Sequence, residues 1–191
     1  MAQRVFLIRH GKTSGNAEKR YIGTTDEPLT KEGMDGIKKF KYPCADIIFS
    51  SPLKRAVQTA EIIWPGQKAI VIDELRETDF GRFEGKNYKE LSGDPEYQAW
   101  IDSGGTMPFP GGESPEQVKE RALLSLKKVL ESGKDATNIA IVTHGGIIMA
   151  ILQHYFGGNI YDYHVENGKG YFFEISSDGL FYGLCNRLYL G

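Results

Sequence analysis

Val5-Phe6-Leu7-Ile8-Arg9-His10-Gly11-Lys12-Thr13 is the stretch on which the architecture turns. Its apolar run has the length and composition of a buried strand, and it stops abruptly at a strong cation, an imidazole and a glycine. Three later segments repeat the pattern of an apolar run ending in polar residues. Ala45 to Ser50 leads into Ser51-Pro52-Leu53-Lys54-Arg55, Ala69 to Ile72 into Asp73-Glu74-Leu75-Arg76-Glu77, and Ile139 to Thr143 into His144-Gly145-Gly146.

Between these strands lie helical patterns. Thr30 reads as an N-cap for a modest helix running toward Phe40. Ser51-Pro52 has the form of a capping hydroxyl followed by proline at the first helical position, with Leu53, Ala56, Val57, Ala60 and Ile63 as the apolar face. Short helices are expected around Tyr88–Leu91 and Glu96–Ile101, before a Gly- and Pro-rich loop from Gly104 to Gly112. Ser114-Pro115-Glu116-Gln117 is a capping box for a helix with Val118, Ala122, Leu126 and Val129 inward. Ile147 to Phe156 is apolar nearly all round and reads as a buried helix, stopped by Gly157-Gly158. Two strands, Tyr171–Ile175 and Leu180–Leu188, close the chain around a turn at Asp178-Gly179. The alternation predicts an α/β three-layer sandwich whose central sheet is mostly parallel with an antiparallel edge. The expectation is a single domain over residues 1–191, with a small cap formed by about residues 86–112.

The net charge of -2 gives no basic field for nucleic acid. No apolar run reaches the ~18 residues of a membrane span. The N-terminus enters a strand without a signal-peptide pattern, and Cys44 and Cys185 lack metal or redox spacing. Both are expected to be reduced core thiols of a cytoplasmic protein, monomeric or homodimeric.

In an open α/β sheet, ligands bind beyond the carboxyl ends of the strands. Arg9, His10, Arg55, Glu77 and His144 would all meet at that edge, while His154 and His164 are expected to be structural. Two arginines and two histidines with one carboxylate suit a phosphate dianion, which guanidinium forks bind bidentately. Gly145-Gly146 would add backbone N–H groups at a helix N-terminus. Arg55 in the first turn of its helix makes sense if an anion is bound there, against the opposing helix dipole. No cluster has metal-ligand spacing, so the arginines would neutralise the charge, and no cofactor is expected.

Leu7-Ile8-Arg9-His10-Gly11 with Thr13 and Asn16, Ser51 to Ala60, Glu77 with Gly81 and Glu84-Gly85, and Thr143-His144-Gly145-Gly146 together resemble the histidine phosphatase superfamily, phosphoglycerate mutase-like branch. Asn16 to Gly23, Asp26 to Thr30, and Pro110 to Ser114 further resemble its α-ribazole phosphatase group. The resemblance implies a phosphoric monoester hydrolase with His10 as nucleophile, forming a phosphohistidine. Arg9, Arg55 and His144, with Asn16 assisting, would hold the phosphoryl oxygens. Glu77 would be the proton donor, with Glu74 and Asp79 as rivals that spacing does not exclude.

Gly145, Tyr21 and Gly23 would line the substrate site, and Tyr97, Trp100 and Phe109 could join Tyr21 in stacking on a base or simply pack the cap. The implied substrate is a small phosphorylated metabolite. It could be α-ribazole 5′-phosphate from cobalamin nucleotide-loop biosynthesis. The alternatives are a broad-specificity sugar-phosphate phosphatase, a phosphoglycerate mutase, or a non-enzymatic binder of phospho-ligands. Lys12 stands where the family commonly has Glu, beside the pocket.

Overall fold

The computed structural model describes residues 2–185, the side chain of Cys185 excepted. Its centre is β1 (Gln3–Arg9), which lies inside a six-stranded sheet of order β3-β2-β4-β1-β5-β6. β2 (Ile47–Ser50), β3 (Ile70–Val71) and β4 (Asn138–Thr143) run parallel to β1, linked through β4. β5 (Gly170–Ile175) is antiparallel to β1, and β6 (Phe181–Cys185) is antiparallel to β5. The mixed sheet with an antiparallel edge is therefore as the sequence predicts.

The continuous apolar run of β1 is explained by cover on both faces. Val5 and Leu7 join Ile139, Ile141 and Phe173 against α5 (Pro115–Ser132) and α6 (Gly145–Phe156). Phe6 and Ile8 join Ile48, Ala140 and Val142 against Ala56 and Ala60 of α3 (Lys54–Ile63). α2 (Lys31–Lys38), capped by Thr30, packs on α3.

Several local expectations need correction. α3 begins at Lys54, with Leu53 as an N-cap that makes no side-chain cap bond. Asp26 Oδ1, from a distant loop, accepts the Lys54 N–H at 2.7 Å, while the Ser51 hydroxyl contacts His144 and accepts the Leu53 N–H. The segment around Tyr88–Leu91 is turn, not helix, and Asn87 Oδ1 accepts the N–H groups of Lys89 and Glu90 at 3.0 and 3.1 Å. The helix near Glu96–Ile101 does form, as α4 (Pro95–Asp102) capped by Asp94.

The loop after β1 contains one helical turn, α1 (Ser14–Ala17), closed by a Thr13/Asn16 capping box that the sequence reading passed over. β3 is only two residues long, with Ile70 and Val71 both exposed at the sheet edge. Cys44 is exposed and free, not a core thiol, and it is the neighbouring Ala45 that is buried ahead of β2. Expectations for the Cys185 side chain and for strand beyond it to Leu188 lie outside the described residues. No helix among the described residues is long and apolar enough to cross a membrane.

Candidate active site

Sheet register assembles the site. Arg9 stands beside Thr143, Ser50 beside Val142, and Val71 beside Ser50. One residue further on, the N–H groups of His10, Ser51 and Ile72 donate to Thr143, Val142 and Ser50 carbonyls, each at 3.0 Å. His10, Ser51, His144 and the 3₁₀ turn Asp73–Leu75 therefore line one carboxyl edge.

His10 is 2% exposed, with Nδ1 2.7 Å from the Gly11 carbonyl. A carbonyl only accepts, so Nδ1 carries the hydrogen and Nε2 keeps its lone pair. Burial first, then the charges of Arg55 and Arg9, push the ring well below the ordinary histidine range, so it is neutral at pH 7. The turn carrying it is held from three sides. Thr59 Oγ1 accepts the Gly11 N–H at 2.9 Å and donates to the Arg55 carbonyl at 2.6 Å. Asn167 Nδ2 donates to the His10 carbonyl and to Asn16 Oδ1, both at 3.1 Å. Gly168 N–H donates to the Arg9 and His10 carbonyls at 3.0 and 3.1 Å.

Arg55 is fully buried and spans two environments. Its Nη1 donates to the Thr25 carbonyl at 2.7 Å, and its Nη2 to Gly23 at 2.9 Å and Ile22 at 3.3 Å. Its Nε is buried with no hydrogen-bond partner. Arg9 repeats the pattern, with Nη1 on the Val165 carbonyl at 2.7 Å and Nε bare. Burial opposes both guanidinium charges, and a negative charge on Glu77 would do most to support them.

His144 Nε2 lies 2.7 Å from Ser51 Oγ, which also accepts the Leu53 N–H at 3.3 Å. Nδ1 has no partner, and with the serine proton on Nε2 it carries a hydrogen that no protein group accepts. The two histidine rings are 5.0 Å apart, and burial followed by His10 and Arg55 keeps His144 neutral too. Arg9 Nε and Arg55 Nε are bare buried donors on the two cations that act on His10, and His144 Nδ1 joins them in that tautomer. Each such group costs about 1–3 kcal/mol when unpaired, a cost an oxyanion would remove.

Glu77 is 8% exposed. Its Oε1 accepts from Thr78 N–H at 2.8 Å and Thr78 Oγ1 at 3.2 Å, while Oε2 faces the Gly146 N–H at 3.5 Å. The rivals are engaged elsewhere. Glu74 pairs with Lys128 on α5, and Asp79 Oδ1 accepts the Gly81 N–H at 2.9 Å.

Gly145 opens α6 directly after His144, which puts the helix N-terminus at the histidines. Gly23 supplies a carbonyl to Arg55, and a Cβ there would stand 1.9 Å from the Thr78 carbonyl oxygen. Asn16 turns its amide oxygen inward, onto the Thr13 N–H at 3.2 Å and Asn167. The Tyr21 hydroxyl meets that of Tyr97 at 3.3 Å, and its ring packs edge-on against Phe80, Tyr97 and Trp100. Trp100 and Phe109 also lie against each other at 5.0 Å, so these aromatics pack one another.

Lys12 pairs with Glu32 at 2.9 Å on the surface. His154 is exposed at the far end of α6 from His144, and His164 is exposed as well. Among the described residues, no group of three or more His, Cys, Asp or Glu side chains is placed to hold a metal ion.

The sequence reading missed Asn167, and it gave Ser51 and Thr59 no role in the site beyond their place in the Ser51–Ala60 motif and, for Ser51, a helix cap. Arg121 was missed as well, and Glu113 was noted only within Pro110–Ser114: Arg121 donates to the Glu77 carbonyl at 3.3 Å.

The chain matches the Histidine phosphatase superfamily (branch 1) over residues 5–186. It is 32% identical over 162 residues to a 2,3-bisphosphoglycerate-dependent phosphoglycerate mutase of Rhizobium etli, covering 77% of each chain. It is 26% identical over 176 residues to an adenosylcobalamin/alpha-ribazole phosphatase of Salmonella typhimurium, covering 86% of this chain and 87% of that one. The crystal structure of the alpha-ribazole phosphatase from Shigella flexneri has the same fold, with a TM-score of 0.85 over 99% of this chain and 98% of that one at 24% identity. A buried neutral histidine ringed by two arginines and a second histidine, on a chain matched almost end to end, leads to one assignment: this protein belongs to the histidine phosphatase superfamily.

Proposed function

We propose that the protein is a metal-independent phosphomonoesterase acting through a phosphohistidine at His10. The observation that carries this reading is the set of partnerless buried nitrogens, Arg9 Nε, Arg55 Nε and His144 Nδ1, on the side chains that flank an imidazole whose Nε2 keeps its lone pair. The Nε2 lone pair attacks phosphorus as the bond to the ester oxygen breaks, and Glu77 gives its proton to the departing alkoxide. Water then loses a proton to the Glu77 carboxylate and attacks phosphorus. The P–N bond breaks, phosphate leaves, and His10 is again neutral.

Arg9, Arg55, His144 and the N-terminus of α6 at Gly145 carry the phosphoryl charge, and Gly23 and Asn16 hold parts of that frame. Residues 86–112 form a small cap on a single domain, with Tyr21 packed beneath it. The substrate is a small phosphorylated metabolite. α-Ribazole 5′-phosphate, with a role in cobalamin biosynthesis, is the specific candidate, supported by likeness to the Salmonella enzyme. The exposed thiol of Cys44 suits a reducing cytoplasm.

The test compares wild type with His10→Ala in EDTA on a panel of phosphate esters. Wild type should hydrolyse them and form an acid-labile phosphoenzyme, and the variant should do neither. Complete dependence on a divalent metal, or unchanged activity in His10→Ala, sinks the proposal. A mutase reading is favoured by the Rhizobium relative. It predicts transfer of phosphate between positions of phosphoglycerate in place of release.

A further inference from the structure

We propose that Arg121 and Glu113 are positioning residues for proton transfer by Glu77, an inference that rests on the phosphatase reading above. Arg121, on α5, is 9% exposed and uses all five of its N–H donors. Two form a bidentate pair with Glu113, Nε to Oε1 at 2.7 Å and Nη2 to Oε2 at 2.6 Å. The other three reach main-chain carbonyls, those of Glu74 at 2.9 Å, Arg76 at 2.6 Å and Glu77 at 3.3 Å. The carbonyl between them, on Leu75, accepts from Thr143 Oγ1 at 2.8 Å. Four consecutive carbonyls leading to Glu77 are thus tied by side chains, where a sheet would have used backbone. Glu113 completes the frame beyond Glu77, its Oε2 accepting the Asp79 N–H at 2.8 Å. Burial works to raise the Glu113 carboxyl, but Arg121 and the Asp79 N–H outweigh it and hold the group below the usual range, as the carboxylate.

The frame is needed because β3 ends at Val71, well before Glu77, so no strand ladder fixes the segment that carries the acid. An almost buried ion pair is a poor source of stability, since an apolar pair of similar volume often serves as well. What the fork does supply is direction. The pair sets the backbone of residue 77, and Thr78 and Gly146 orient the carboxyl from there.

A positioning role leaves a signature that general support of the fold does not. A proton donor matters most when the leaving group is an alkoxide and little when it is p-nitrophenolate, which departs unaided. Arg121→Lys keeps the charge but loses the fork, and Glu113→Gln keeps the shape but loses the carboxylate. Each should lower kcat/KM on an alkyl phosphate about tenfold or more, in line with the ~10²–10⁴-fold worth of acid–base catalysis, while kcat/KM on p-nitrophenyl phosphate changes little. Taking the ratio of the two substrates on one preparation cancels any unfolded fraction, so poor folding cannot imitate the effect.

Glu77→Gln should show the same ratio change, and Arg121→Lys added to it should change the ratio no further. Equal loss on both substrates in the Arg121 and Glu113 variants, with the signature intact in Glu77→Gln, overturns the positioning role alone. Absence of the signature in Glu77→Gln removes Glu77 as the donor, and the inference falls with it.

Discussion

Replacing Gly146 by alanine adds one methyl group at the point where α6 meets the proposed acid. A Cβ there would stand 2.6 Å from Glu77 Oε1 and 2.7 Å from Thr78 Oγ1, whereas ordinary contact begins at 3.4 Å. The carboxylate must retreat by nearly 1 Å, and a misplacement of about 1 Å can lower rate about 10²-fold. Stability should hardly move. The displaced oxygen ends a flexible side chain, and alanine in a helix gains about 0.5–1 kcal/mol over glycine, against about 1 kcal/mol for a weakened hydrogen bond. Gly146→Ala should therefore lose about 10–100-fold in kcat/KM on an alkyl phosphate, much less on p-nitrophenyl phosphate, at an unchanged melting temperature. Gly145→Ala is the comparison, because its Cβ would meet Arg9 Nε at 3.6 Å, an ordinary contact that leaves Glu77 in place. That variant should keep the wild-type ratio between the two substrates. A wild-type ratio in Gly146→Ala would refute the placement of Glu77 as the acid.

Two further outcomes are expected. His10 and His144 both sit well below the ordinary value of 6.5. Above about pH 6.5 they are neutral folded or unfolded; below it the unfolded chain takes up protons that the folded one refuses, so stability falls as pH drops, by up to about 2.7 kcal/mol per pH unit for the pair. Urea midpoints at pH 7 and 5.5 should fall less in a His10→Ala/His144→Ala variant than in wild type, and equal falls would count against two buried neutral rings. Inorganic phosphate should raise the melting temperature, by linkage worth about 2.7 kcal/mol at a hundred times its dissociation constant, and the rise should shrink in Arg9→Met. No rise in wild type would mean the bare donors are not an anion site.

The residues that ended apolar runs were legible because each carried two signals at once, a strand and an out-of-place charge or imidazole. Arg9, His10, Arg55 and His144 are of this kind. Arg121 carried one weak signal. It lies three residues after Val118 and four before the buried Ser125, on the margin of the apolar stripe of α5, but between Glu120 and Ala122 it reads as an ordinary surface cation. Asn167, beside Gly168, reads as a turn residue, and its partners His10 and Asn16 are over 150 residues away. Ser51 misled for a physical reason. The hydroxyl expected to cap α3 meets a histidine 93 residues on and reaches only as far as the Leu53 N–H, and Asp26 caps Lys54 from another loop. Such long-range substitutions have no local pattern.

The two chemical tasks are mounted on different supports. The proposed phosphate donors share one construction, each tied to the protein at one end and with a partnerless nitrogen at the other. Arg55 holds onto the carbonyls of 22, 23 and 25, Arg9 onto Val165, and His144 onto Ser51. Their orientation is fixed when the chain folds, so little reorganisation would remain when charge develops on a bound phosphoryl group. Glu77 shares none of those hydrogen bonds; its segment hangs from Arg121, Glu113 and Thr143, and it meets the phosphate side at Gly146 and through its charge on Arg9 and Arg55. Damage to the first support should therefore weaken every phosphate ester alike, while damage to the second should discriminate between leaving groups. That separation is why a ratio of two substrates, more than any single rate, reports which half of the site a substitution has reached.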